Sequence, residues 1–384
     1  MGTEERIIFG EPSLGDAEAA EVTDSLQSSW IGTGPKVAQF EEQFLAYKEA
    51  QYGVALSSCT AALHLSLLAL ELPPGSEVIT SPLTFCATIN AIIHAGAIPV
   101  LADIDSLTQN LNPQAVEDQI TERTRAILPV HFAGRSCEMG QLQEIASRYQ
   151  LDIVEDCAHA IESTYLDTPC GTLGRFGCFS FHATKNLTTG EGGFVICRDQ
   201  EDAMRLRSLA LHGLSSDAWR RYSDEGYQHY QVNELGFKYN MTDLQAAIGL
   251  PQLARLEENA LKRLSIWQRY DASFSELPIT LPQPPTAGHR HALHLYTILV
   301  DEEHSGLSRD EFLNRMDHLK IGTGVHYLSA SEHPYYQNRF HWNEQTCPNA
   351  HRIGRQTVSL PLSPHLTEAQ VDRVIFAVKK CLQR

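Results

Sequence analysis

Lys185 stands in "FSFHATKNLTTGEGG" (residues 179–193), a short apolar run that gives way to a loop of Ser, Thr and Gly. Three other segments carry residues of comparable chemical use. "LDIVED" ends on Asp156, "LSSCTAALHL" sets Ser57, Ser58 and Thr60 where a β-type run turns into a helical pattern, and "SPLTFCAT" places Phe85 at a second such change. Each has an ordinary explanation. A loop lysine is usually solvated, a carboxylate or hydroxyl at such a place caps the next helix, and an isolated Phe usually packs in a core. Together they specify more. Hydroxyls and free N–H groups at a helix start bind phosphate. An aromatic ring stacks on a planar ligand, an acidic strand end pairs with a cationic ring nitrogen, and a buried lysine with a lowered pKa forms an imine. Those handles match pyridoxal phosphate, which offers a phosphate, a pyridinium nitrogen and an aldehyde.

Such a set has to be brought together by the elements around it. From residue 53 to 197 short β-rich runs alternate with longer amphipathic ones. The strands expected are "GVALS", "SEVIT", "AIPVLAD", "RAILPVH", "LDIVED", "GCFSF" and "GGFVIC", with helices such as "TAALHLSLLALEL", "TFCATINAIIHAG" and "EMGQLQEIASRYQ" between the first five. Alternation of this kind predicts an α/β fold, a mostly parallel seven-stranded sheet covered on both faces. Ligands of such sheets lie outside the carboxyl ends of the strands, where all four segments end. A helical pattern starts at Thr242 and runs to Phe274, with Pro251 expected to kink or break it. The Pro-rich "ELPITLPQPPTAGHRHA" then leads into "LHLYTILV", "SRDEFLNRMDHLK" and "TEAQVDRVIFAVKKCL". The expected division is a large domain over 1–254, N-terminal segment included, and a smaller C-terminal α/β domain over 255–384.

The chain has 384 residues, 47 Asp and Glu against 30 Lys and Arg, and a net charge of −17. An acidic balance without a basic patch disfavours nucleic acid and anionic membrane surfaces as partners. The charged start "MGTEERIIFG" lacks a secretory h-region, and no apolar stretch approaches the roughly 18 residues of a membrane span. Nine cysteines without a CxxC pair indicate free thiols, and a cytoplasmic location is expected. No metal site is expected, although "EDCAH" invites one, because a metal needs converging ligands and spacing along one sequence does not show convergence.

"WIGTGPKVAQFEEQFLAY", "SSCTAALHL", "SPLTFCATINA", "AIPVLADID", "PVHFAG", "VEDCAHA", "FSFHATKNLTTGEGG", "LHG" and "KYNMTDLQAAIG" resemble, in order, the blocks of the DegT/DnrJ/EryC1/StrS sugar aminotransferases. The resemblance implies a fold type I, pyridoxal phosphate-dependent enzyme that aminates a nucleotide-linked keto sugar. It implies that Lys185 bears the cofactor and shuttles the proton, Asp156 pairs with the ring nitrogen, and His159 lies near the ring 3-hydroxyl. Ser58, Cys59, Thr60 and Ser180 would hold the phosphate and Phe85 would stack on the ring. Asn240 would reach the phosphate from a second subunit, which makes the protein a homodimer with shared sites. Thr33, His182 and His326 are candidate substrate contacts, and the histidines between His289 and His294 belong either to that surface or to ordinary loop polarity.

Within the family, "EDCAHA", "SFHATKN", "LHGLSSDAW", "GFKYN" and "IGTGVHY" are most similar to the enzymes of UDP-4-amino-4-deoxy-L-arabinose synthesis. That similarity implies a 4-keto substrate, glutamate leaving as 2-oxoglutarate, and a product for lipid A or another surface polysaccharide. Two positions depart from the commoner pattern: Cys59 stands where many relatives have Gly or Ala, and His159 where many have Gln. The lysine itself disfavours the dehydratase branch, which carries histidine there. Two alternatives keep the same cofactor residues, namely amination at C3 or on a 6-deoxyhexose, and a cofactor-binding sensor without turnover. Against the sensor, the sequence offers no basic patch and no appended DNA-binding segment is expected.

Overall fold

The computed structural model describes residues 5–214 and 230–383; of the block "LHGLSSDAW", the residues from Ser215 on lie outside them. All seven expected strands form. They are β1 (Tyr52–Leu56), β2 (Glu77–Thr80), β3 (Ile98–Leu101), β4 (Thr124–Leu128) and β5 (Asp152–Asp156), followed, after a two-residue hairpin of β6 (Thr164–Tyr165) and β7 (Thr168–Pro169), by β8 (Phe176–Ser180) and β9 (Gly193–Cys197). The sheet order is β1-β9-β8-β5-β4-β2-β3. Only β9 runs against the rest, antiparallel to both β1 and β8. The carboxyl ends of β1, β2, β5 and β8 therefore share one edge with the amino end of β9. In register, Gly193 sits opposite both Leu56 and Ser180.

Side chains alternate across these strands, so each supplies both faces. In β1, Val54 and Leu56 face a core shared with α3 (Cys59–Ala69) and α7 (Gln200–Ala210), while Ala55 faces α2 (Pro35–Tyr47) and α8 (Asp243–Ala254). The second face is rich in aromatics: Phe44 meets Phe179 and Phe181 edge-on with centroids 5.2 and 5.3 Å apart. Truncating so enclosed a ring typically costs 3–5 kcal/mol. The helix α6 (Met139–Tyr149) covers Ile79, Ile127 and Ile153 farther along. The helical run from Thr242 does not break at Pro251 as expected. α8 continues through that proline to Ala254 and ends at Arg255, which leaves helical geometry at φ −109° and ψ 12°, before α9 (Leu256–Phe274) begins. A proline forfeits one intrahelical bond, and here the capping box of Thr242 and Gln245 and burial of Leu250 and Leu253 offset that loss.

A separate core gathers Trp267, Tyr270 and Phe274 of α9 with the antiparallel pair β10 (Tyr296–Leu299) and β11 (Thr357–Leu360). α11 (Arg309–His318) and α14 (Glu368–Leu382) also pack there. Ile7 joins this core by pairing in parallel with Ile321, its N–H donating to Lys320 O at 3.0 Å. All nine cysteines are unpaired and only Cys86 is not fully buried. Among the described residues no helix is long and apolar enough to cross a membrane.

Candidate active site

A cleft of about 550 Å³ opens at the shared strand edge, within the roughly 300–1,000 Å³ usual for small-molecule sites. Of the residues expected to hold the cofactor, it is lined by Ser58, Cys59, Thr60, Phe85, Asp156, His159, Ser180 and Lys185. Their convergence follows from strand direction. β1 delivers Ser58, β5 delivers Asp156, and β8 delivers Ser180 with Lys185 five residues later in the loop before β9.

At the end of β1, Ser58 caps α3, its hydroxyl accepting from Ala61 N at 3.1 Å. The first backbone bond of the helix runs from Ala62 N to Ser58 O, so the N–H groups of Cys59 and Thr60 precede it and point out of the helix start. Such a helix start favours an anion. Gly193 makes the close packing possible: a Cβ there would lie 2.3 Å from Ser58 C and 2.5 Å from Cys59 N. Burial first, and then Asp156, pushes the Cys59 thiol well up, which keeps it protonated.

Asp156 is buried at the cleft floor. It accepts from Thr88 Oγ1 at 2.8 Å and from Ala158 N at 3.1 Å, two bonds for a group with room for about four. Burial raises its pKa against the opposing pull of those donors and of Lys185. A buried carboxylate so incompletely satisfied fits a cationic partner, which a pyridinium N–H supplies. Lys185 is half-buried on the cleft wall, and burial pulls its amine down to about 8 against the opposing pull of the Asp156 carboxylate. About a tenth of the amine is then neutral and nucleophilic at pH 7. Phe85, at the N-cap of α4 (Cys86–His94), is 60% exposed on the rim of the cleft, where its ring face is open to a planar ligand.

His159 accepts from Ala133 N at 3.2 Å through Nδ1, and its Nε2 lies 3.0 Å from Tyr327 Oη. Burial, and next Lys185, hold its pKa well below the usual histidine range, so the ring is neutral. His326 lines the same cleft, bonds Ser359 Oγ at 2.8 Å and is brought down to about 4 by burial. His182 is at the open mouth, its Nδ1 3.1 Å from Thr184 Oγ1. Thr33 and Asn240 are brought together with each other, Asn240 Nδ2 donating to Thr33 Oγ1 at 2.6 Å, but neither lines this cleft of its own chain. Of the histidine cluster, His294 lies with its ring tilted 37° against that of His159, centroids 4.5 Å apart, and bonds Asn186 at 3.0 Å. His289 instead bonds Ser136 at 3.1 Å, and His291 accepts from Leu293 N at 2.8 Å.

Sequence reasoning assigned no role to Thr88 or Tyr327, although both lie in segments it singled out. Thr88 follows Phe85 by one helical turn, a spacing that places it on the same face of α4. Tyr327 follows His326 directly, and nothing in the spacing shows that its hydroxyl reaches His159. The sequence "EDCAH" does contribute to a buried group, Glu155 and Cys157 with His131. Glu155 is already filled by His131 Nε2 at 3.0 Å and by the N–H groups of Gly171, Leu173 and Gly174 at 2.8, 2.8 and 2.7 Å. His131 Nδ1 accepts from Cys137 N at 3.0 Å. These donors and acceptors are committed to holding the β5 and β8 connection together.

The sequence profile of the DegT/DnrJ/EryC1/StrS aminotransferase family matches residues 12–379. The chain is 47% identical over 372 residues to the spore coat polysaccharide biosynthesis protein SpsC of Bacillus subtilis, covering 97% of this chain and 96% of that one. Spr1654 of Streptococcus pneumoniae superposes in its PMP form with a TM-score of 0.92 at 33% identity over 98% of this chain and 99% of that one. Its PLP form gives 0.91 at 32% over 98% of each. PseC of Helicobacter pylori, an aminotransferase involved in pseudoaminic acid biosynthesis, gives 0.92 at 27%, with 98% and 99% covered. With a matching family profile over nearly the whole chain and a cleft whose residues fit each polar handle of the cofactor, this chain belongs to the DegT/DnrJ/EryC1/StrS aminotransferase family and uses pyridoxal phosphate.

Proposed function

We propose that the protein transfers an amino group from glutamate to C4 of a nucleotide-linked 4-keto sugar in the cytoplasm, for a cell-surface polysaccharide. The observation that carries the reading is the meeting of Lys185, Asp156 and the start of α3 in one cleft. SpsC, a spore coat polysaccharide protein, and PseC, acting toward pseudoaminic acid, support a sugar substrate. The choice of C4 and of a pentose like that of the arabinose-type enzymes rests on the sequence blocks around His159 and His326.

In this reading each side chain has a defined task. The N–H groups of Cys59 and Thr60, with the Ser58 and Ser180 hydroxyls, receive the phosphate. Asp156 keeps a proton on the ring nitrogen, and Phe85 covers the ring face. Bound there, pyridoxal phosphate supplies an electron sink for the carbon that carries the amine. Lys185, whose amine burial brings down to about 8, would take up and return a proton at Nζ beside that carbon. Thr33 and Asn240, fastened together beside the exposed Trp30 and Ile31, complete the site of a second subunit in a homodimer.

The test supplies the purified holoprotein and glutamate with UDP-linked 4-keto pentose, dTDP-linked 4-keto-6-deoxyhexose and a 3-keto isomer, and follows amino sugar by mass spectrometry. Turnover of a 4-keto sugar is expected, with Lys185→Ala inactive. Preference for the 3-keto isomer overturns the regiochemistry, and failure of any amino acid to discharge the cofactor overturns the aminotransferase reading in favour of a sensor.

A further inference from the structure

His159 and Tyr327 are joined by a hydrogen bond whose polarity the surroundings dictate. The Ala133 N–H points at His159 Nδ1, so Nδ1 must offer a lone pair. In a neutral imidazole the proton then sits on Nε2, and the 3.0 Å contact is a donation from Nε2–H to Tyr327 Oη. The phenol's own proton is therefore left to be given elsewhere. Among the described residues Tyr327 Oη has no other hydrogen-bond partner, and Tyr327 lines the cleft with Phe85 6.2 Å from its ring. His159 has neither nitrogen to spare, since one accepts from the backbone and the other serves Tyr327.

The cofactor offers the cleft one more acceptor. Its phosphate belongs to the α3 start and its ring nitrogen to Asp156, and the remaining polar group is the ring 3-oxygen, beside the carbon that Lys185 holds. We propose that Tyr327, and not His159, donates the hydrogen bond to the cofactor's 3-oxygen, with His159 acting as a positioning residue that orients the phenol through Nε2–H. This inference rests on the cofactor assignment above. Burial, and next Asp156, push the phenol's pKa up, so it remains a proton donor across the working pH range. Because Tyr327 comes from the chain between α11 and β11 and His159 from the loop after β5, the contact also makes cofactor electronics depend on how the C-terminal residues sit over the sheet.

The test is a spectrophotometric pH titration of the lysine-linked cofactor in the holoprotein and in Tyr327→Phe. A donor to the 3-oxygen stabilises the form in which the linking nitrogen has lost its proton. Its loss should raise the titration midpoint by about one pH unit or more, as expected for one hydrogen bond to a charged oxygen. His159→Ala, which frees the phenol to turn, should shift it in the same direction by less. A midpoint in Tyr327→Phe equal to that of the wild type overturns the proposal, as does a larger shift in His159→Ala. If Tyr327→Phe takes up no cofactor, the wild type is titrated by fluorescence with pyridoxal phosphate and its 3-deoxy analogue. At least about tenfold weaker binding of the analogue is expected, and equal binding overturns the assignment. Absence of any visible band in the wild type would instead overturn the cofactor reading itself.

Discussion

At Lys185 and Asp156 the same physical cause acts in opposite directions. Burial disfavours charge on both, so it lowers the amine to about 8 and raises the carboxyl. The cleft thus sets a lysine close to its nucleophilic form beside a carboxylate with acceptor capacity to spare, and one ligand carrying an aldehyde and a cationic ring nitrogen answers both. A pH dependence follows with a defined sign. Below about pH 8 the neutral fraction of Lys185 grows tenfold per pH unit and above it levels off. Stopped-flow absorbance of the apoprotein mixed with pyridoxal phosphate is expected to show capture accelerating about tenfold per unit from pH 6 and reaching a plateau beyond 8. A flat profile would mean that another group limits capture. Lys185→Ala is expected to show no covalently linked band and to lose turnover by at least about a hundredfold to ten-thousandfold, the range for a positioned acid and base.

The elements that hold these residues depend on one tight contact between strand and helix. Gly193 leads β9 and lies against the start of α3, where even a methyl group would meet the Ser58 and Cys59 backbone. Gly193→Ala should cost about 1–3 kcal/mol in urea unfolding, as overpacking does, and should weaken phosphate binding more than it weakens folding, because the displaced atoms carry the anion site. Unchanged affinity for inorganic phosphate in the folded variant would count against that site. The strands were legible because they are short apolar runs, most of them closed by Ser, Pro or Asp, and the parallel order of the first five follows from the helices placed between them. The end of α8 was not legible: Pro251 is the strongest local breaker in the run, but packing of Leu250 and Leu253 carries the helix past it to Arg255. Thr88 and Tyr327 escaped for a related reason. Their roles arise from where α4 and the C-terminal residues meet β5, which no local pattern encodes. Lys185 and Asp156 were legible since a lysine among small residues and a carboxylate ending a buried strand each break the pattern around them.

Across the whole molecule, the pairing of Asn240 with Thr33 away from their own chain's cleft makes a claim about assembly that mixing can examine. If Asn240 serves the partner's site, Lys185→Ala and Asn240→Ala, each inactive alone, should regain about a quarter of wild-type activity when unfolded and refolded together, since a mixed dimer has one intact site. No recovery would place Asn240 in its own chain's site. The pairing of Ile7 with Ile321 has a different consequence, one of time. A ribosome adds roughly 5–20 residues per second, so Ile7 waits about 15–60 s for the segment at Lys320 and Gly322 that accepts it and gives it a hydrogen bond of 2.8 Å. During that interval Ile7, and Phe9 whose ring ends 5.5 Å from that of His326, face water on the nascent chain. Phe9 and Gly10 line a small pocket together with Lys185 and His326, so that side of the site is among the last parts to close, and a chain halted before Ile321 emerges would carry the cofactor's sheet with an apolar N-terminal strap still unhoused.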